Sequence, residues 1–263
     1  MNHPDGSPRA ATPYRLAALG PHFAVHTHVP GTVPSADTPW RTIAELRHDP
    51  TLLRDRMDAT RALLATAGGR DPQEIEPPVA ASAAHLGLIA RLTAPLLALT
   101  ALHDTVPSAD PESVWWRPQP GATFPLSVPA DHARAVTTSP APPATTRPDP
   151  PRLAAVLLDD LAQFLADTLR PYGLHPPLAW GNTASAIHSA STALTTARPH
   201  EADRLRTLTV HLLAHPSLRD THNDRSGPAF RRRTCCLIHR AAPAATGRPS
   251  AALLCADCPL AGR

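Results

Sequence analysis

Every thiol in this chain sits in one short stretch. Cys235 and Cys236 are adjacent, eighteen residues follow, and Cys255 and Cys258 close the set as a C-x-x-C pair; the 234 residues before Cys235 contain no cysteine. Four thiolates in two close pairs are a ligand set for metal. They can complete the tetrahedral shell of one zinc ion or hold both irons of a [2Fe–2S] cluster. The C-x-x-C half serves either metal. The vicinal pair departs from the more widely spaced halves of zinc ribbons, and the whole spacing departs from the bacterial and plant-type ferredoxin runs. Three readings stay open: iron–sulfur, zinc, and disulfides or free thiols. Disulfides call for an oxidising compartment, to which nothing in the sequence points.

Other chemistry-bearing residues are less telling. His239 follows Cys236 by three positions, where it reads as a neighbour of the ligands or as plain surface, because four cysteines already suffice. His26 and His28 would share a strand face, and His211 and His215 a helix face. The second pair lacks the glutamate of a zincin, and surface histidines are the favoured reading of both pairs. Asp159 and Asp160 diverge by about 100° on a helix and read as a solvated face. Trp115 and Trp116 would point to opposite sides of a strand, one of them into the core. There is no Gly-rich phosphate loop, no nucleophile elbow and no dinucleotide fingerprint.

The elements that must position the cysteines are mostly helical. A short helix opens at Thr12 and Pro13 and stops at Gly20, and residues 23–29 alternate like a strand. Thr38 and Pro39 look like the cap and first turn of a helix over 40–47. Residues 51–67 carry Leu52, Leu53, Met57, Leu63 and Leu64 at helical spacing and end at Gly68 and Gly69. Residues 79–103 form a long apolar helix with a kink expected at Pro95; Arg91 and Pro95 interrupt it, so it reads as buried rather than membrane-spanning. Residues 114–117 and 123–128 read as two short strands. Three further helices follow over 152–169, 178–196 and 201–215. The expected fold class is a mostly α-helical α+β protein with a small β element and a C-terminal cysteine knob. Its parts are a helical and β region over 1–128, a linker over 129–151 containing seven prolines, and a helical region over 152–263 ending in the cysteines.

Composition sets the remaining bounds. The chain of 263 residues is long enough for a real core. It has 33 prolines and no lysine, so arginine carries all the fixed positive side-chain charge, a bias that reads as coding composition. A net charge of +3 is too small to imply a nucleic-acid partner, and no helix-turn-helix with a basic recognition helix is visible. The N-terminal stretch lacks the apolar core of a secretory signal, so a cytoplasmic setting without stable membrane insertion is expected.

Beyond these physical readings, the chain resembles the FhuF-like ferric-siderophore reductases. The match is carried by residues 230–240 (FRRRTCCLIHR) and 254–260 (LCADCPL), supported by 180–186 (WGNTASA), 79–92 (VAASAAHLGLIARL) and 115–118 (WWRP). It runs from about Tyr14 onward and leaves out the Pro-rich linker. The gap between the two cysteine pairs is longer here than is usual in that family, with 241–250 as the apparent insertion in an exposed loop. The resemblance implies a cytoplasmic oxidoreductase whose [2Fe–2S] cluster, held by Cys235, Cys236, Cys255 and Cys258, reduces siderophore-bound Fe³⁺. Its partners would be the ferric siderophore and an external electron donor such as a ferredoxin or a flavin reductase. The alternative is a non-enzymatic helical binding protein stapled by Zn²⁺. No acid, base or nucleophile is required, since one electron converts tightly held Fe³⁺ into weakly held Fe²⁺. Arg231, Arg232 and Arg233 could attract an anionic chelate and raise the cluster potential, or form a solvated turn. Trp180 and Asn182 are expected to open a helix near the site, where free amides could meet the chelate.

Overall fold

The computed structural model describes residues 15–35, 39–130, 149–223, 229–242 and 254–260. The expected helix start at Thr12, the cap at Thr38, most of the Pro-rich linker and most of the loop 241–250 lie outside the described residues. The protein is a mostly α-helical α+β fold with one small sheet.

Four short strands form the sheet: β1 (His26–His28), β2 (Arg41–Thr42), β3 (Trp115–Trp116) and β4 (Leu126–Pro129), in the order β1-β4-β3-β2. β1 runs parallel to β4, while β3 is antiparallel to both β4 and β2. The two strands expected around Pro120 and Gly121 thus pair as a hairpin. Trp116 points into the core and donates its indole N–H to the Thr42 carbonyl at 3.2 Å, while Trp115 is half-buried. The expected surface pair of histidines divides: His26 is exposed, but His28 is buried, with its Nδ1 2.9 Å from Ser127 Oγ.

A short helix α1 (Glu45–His48) replaces the longer one expected over 40–47. Strand β2 takes Arg41 and Thr42, because Ile43 and Ala44 hydrogen-bond to Val114 and Pro111 of the neighbouring segment. Helix α2 (Pro50–Gly68) is capped by the Asp49 side chain and ends at Gly69 in a left-handed conformation (φ 62°). Helix α3 (Pro77–His103) carries two prolines in its first turn and continues through Pro95. It is the only helix among the described residues long and apolar enough to cross a membrane, and 78% of that stretch is buried inside the protein.

The chain resumes in α4 (Pro150–Ala154), whose rod continues through a π-helical stretch, Ala155–Ala162, into α5 (Gln163–Leu169). Helices α6 (Pro176–Ala197) and α7 (Ala202–Leu213) follow. Asp159 lies on the π-helical stretch and faces His215, 3.3 Å away.

One continuous core joins both halves of the chain, from Leu16 and Phe23 through α3 to Leu218 and Phe230. α3 and α6 lie against each other along much of their length. Both are rich in alanine there, with Ala80, Ala81 and Ala84 on one and Ala179, Ala184 and Ala186 on the other all buried. Small side chains let two helices approach closely, and here that brings polar side chains of the two helices within hydrogen-bonding reach. The segments leading into β1 and β4 are tied to α3 by Arg91, which is 2% exposed and donates to the carbonyls of Phe124, His22 and Ala24. Burial lowers its pKa to about 10.

Candidate metal centre

The cysteine knob is built on Phe230. This ring is buried between two histidines: it stacks on His188 of α6 at 4.2 Å between centroids and on His222 at 5.4 Å. Backbone pairing then lays the next residues out as extended chain. Asn223 N–H donates to the Arg231 carbonyl, Arg233 N–H donates to the Thr221 carbonyl, and His222 and Arg232 form an antiparallel bridge. Extended chain alternates its side chains. Arg231 is therefore half-buried, Arg232 buried and Arg233 exposed.

Two glycines let the knob sit close to the helices. A Cβ on Gly181 of α6 would stand 2.0 Å from Thr234 Oγ1, and one on Gly68 of α2 would stand 2.3 Å from the Ala241 carbonyl oxygen. Thr234 Oγ1 donates to the Pro177 carbonyl at 3.2 Å. Beyond the first cysteine pair, Leu237 takes a left-handed conformation (φ 65°) and a 3-10 turn, Ile238–Ala241, follows. Ala241 packs with Ala65, Ile75 and Val79, and Arg70 donates to the Arg240 carbonyl. The pair formed by Arg240 and Glu76 is exposed on both sides, so it adds little to stability.

The four cysteines lie near one another, with Cys236 and Cys258 buried and Cys235 and Cys255 half-exposed. Cys236 Sγ and Cys255 Sγ are 3.7 Å apart. Two sulfurs bound to one tetrahedral ion at about 2.3 Å would stand about 3.8 Å apart, so this pair has the separation of two thiolates on a shared metal. Among the described residues, no three His, Cys, Asp or Glu side chains are gathered into a cage for a single ion. Amides already point at sulfur: Leu237 N–H donates to Cys235 Sγ and Leu260 N–H to Cys258 Sγ, each at 3.4 Å, and the Ile238 amide reaches Cys236. His239 Nδ1 stands 3.3 Å from Cys235 Sγ, beside the ligands as its spacing allowed.

Hydrogen bonds from the Cys235 and Cys255 thiols hold Cys236 far below the ordinary thiol value, against the opposing effect of burial. Cys235 and Cys255 are pushed far up, first by their bonds to Cys236 and then by burial. Four thiols in two close pairs, with amide and guanidinium N–H groups aimed at their sulfurs, are chemically suited to a thiolate-bound zinc ion or iron–sulfur cluster.

Arg232 is the charged group built into this site. Its Nη2 donates to Cys255 Sγ at 2.6 Å and its Nη1 to Asn182 Oδ1 at 2.8 Å. Its Nε faces Asp257 Oδ2 at 3.0 Å, as opposed charges rather than as an aligned hydrogen bond. Burial opposes the Arg232 charge, but Asp257, Cys236 and Cys255 outweigh it, and its pKa is raised. Asn182 is itself fixed, its amide donating to the carbonyl and the hydroxyl of Ser82 on α3, each at 3.1 Å.

These positions differ from those expected for a docking surface. Arg232 is turned inward, and Asn182 is wholly buried in the interior of α6. That helix opens at Pro176 with His175 as its N-cap, so neither Trp180 nor Asn182 lies in the first turn with its free amides. Trp180 is half-buried against the core. Arg233 is the exposed member of the run, and Arg231 donates to its neighbouring Phe230 carbonyl at 2.8 Å. Asp257, inside the C-x-x-C pair, and Ser82 were missed in the sequence. Asp257 could have been found as the one acidic residue between two ligands. A separate cleft of about 300 Å³, lined by Leu52, Arg56, Trp116 and Gln119, contains none of the cysteines. No family model, no curated protein and no solved structure matches the chain.

Proposed function

We propose that this protein is an iron–sulfur ferric-chelate reductase of the FhuF-like kind, acting in the cytoplasm on siderophore-bound Fe³⁺. The observation that carries the reading is the approach of the two cysteine pairs, with Cys236 Sγ and Cys255 Sγ 3.7 Å apart and amide and guanidinium hydrogens aimed at the sulfurs. Such donors are what a cluster bound by thiolates needs to stabilise an added electron. A [2Fe–2S] cluster bound there supplies one electron at a time. The chain's own part is to hold the ligands and govern access to them. Cys236 and Cys258 sit inside, so the half-exposed Cys235 and Cys255 face the side from which a ferric chelate or an electron donor approaches. Arg233, exposed and two residues before Cys235, offers a positive charge to an anionic chelate. Reduction weakens the grip of hard oxygen ligands on the substrate iron, and the metal leaves.

The deciding experiment is a visible spectrum of anaerobically purified protein with iron, sulfide and zinc analysis. Charge-transfer absorption that bleaches with dithionite, followed by Fe²⁺ release from ferric siderophores into a ferrous trap, supports the reductase. A colourless protein with one zinc per chain would overturn it in favour of a zinc-stapled binding protein.

A further inference from the structure

We infer that Arg232 sets the reduction potential of the centre through Cys255, with Asp257 as an opposing charge and Asn182 and Ser82 as the residues that fix its position. The inference rests on the iron–sulfur reading above. Arg232 is 2% exposed, and its guanidinium hydrogen-bonds to Cys255 Sγ and Asn182 Oδ1 while its Nε stands against the Asp257 carboxylate as an ion pair. A rigid planar fork with three fixed partners cannot swing away as a surface arginine does.

The chemistry follows from where an added electron goes. Reduction increases negative charge on the cluster and its thiolate ligands. A cationic N–H donor on one ligand favours that state, and a carboxylate beside it disfavours it. The site holds one of each, almost fully removed from water, so the potential reflects their balance. Removing Arg232 leaves Asp257 unopposed and lowers the potential. Removing the Asp257 charge leaves Arg232 unopposed and raises it. Asn182 acts only through Arg232. It is a positioning residue, reaching from α6 and anchored on α3 by its two bonds to Ser82. The two central helices thereby fix the distance between the guanidinium and the sulfur.

Potentiometric titration with dithionite and mediators, followed by visible absorption and by electron paramagnetic resonance of the reduced state, tests this on the full chain. Arg232→Gln is expected to weaken electron acceptance about tenfold, which is a fall of about 59 mV for a one-electron couple. Asp257→Asn is expected to shift the midpoint upward by a similar factor. Asn182→Ala is expected to lower it by a smaller amount and to broaden the resonance as Arg232 loses its fixed position. A residue that merely supports the knob would change cluster content without opposite shifts. Midpoints that stay put, or that move together in Arg232→Gln and Asp257→Asn, overturn the inference while leaving the reductase intact. Where Arg232→Gln takes up no iron, the rise in Asp257→Asn and the fall in Asn182→Ala decide by the same signs. A wild-type protein without iron and sulfide removes the underlying reading, and this inference with it.

Discussion

At the scale of single residues, the cysteines and the arginine run behave differently. Replacing any one of Cys235, Cys236, Cys255 or Cys258 with Ser should lose or strongly deplete the cluster, because a hydroxyl is a poor ligand for iron at neutral pH. Iron and sulfide content per chain measures this, and full loading of a Cys236→Ser variant would show that the four do not act as one site. Arg233→Gln should slow Fe²⁺ release from anionic siderophores and flatten its dependence on salt without altering the visible spectrum. Unchanged rates at low and high salt would mark Arg233 as a solvated turn. The thiols were legible in the sequence because their chemistry and spacing are local. The fate of Arg232 was not, since it depends on pairing between residues 221–223 and 231–233, which alternates the run inward and outward. Asn182 looked like a helix opener for a related reason. His175, Pro176 and Pro177 start the helix earlier, and the tryptophan-glycine-asparagine run belongs to its interior.

At the scale of elements, the knob is placed by close approach. Gly68→Ala would drive a methyl group into the Ala241 carbonyl, a backbone atom that cannot rotate away. The expected cost is about 1–3 kcal/mol, with reduced cluster occupancy, read from urea unfolding and iron content. Gly181→Ala meets the Thr234 side chain instead, so a second change, Thr234→Ala, should recover part of the loss. No recovery in the double variant would mean that the backbone itself resists. The helices of the core were readable to within a few residues, because apolar periodicity and Pro or Gly boundaries are local signals. The segment at 40–47 was misread, since Thr38 and Pro39 suggested a cap, whereas pairing of residues 41–44 with 111–116 determines the structure there. Tertiary hydrogen bonding overrode local propensity at that point.

At the scale of the whole molecule, the packing of α3 against its neighbours leaves a mark on pH dependence. His85 is fully buried on α3, neither of its ring nitrogens is hydrogen-bonded among the described residues, and burial lowers its pKa to about 3. The unfolded chain, with an ordinary histidine, takes up this proton first as the pH falls. Stability should therefore be complete above about pH 6.5 and decline as the pH drops toward the folded value, at up to about 1.4 kcal/mol per pH unit. In His85→Leu that share of the slope should vanish between pH 6.5 and 5, as measured by urea unfolding; an identical slope would show that His85 finds a proton acceptor. The order of the chain has another consequence. The continuous core from Leu16 to Leu218 is translated before the first cysteine leaves the ribosome, and it already holds the surfaces of α2, α3 and α6 on which the knob rests. Domains generally fold as units, in the order in which they are synthesised. On the iron–sulfur reading, metal loading would follow the formation of this scaffold. Newly made protein should wait, folded and iron-free, for a delivery system, and stripping the metal with a chelator should abolish visible absorption while leaving the helical circular dichroism intact.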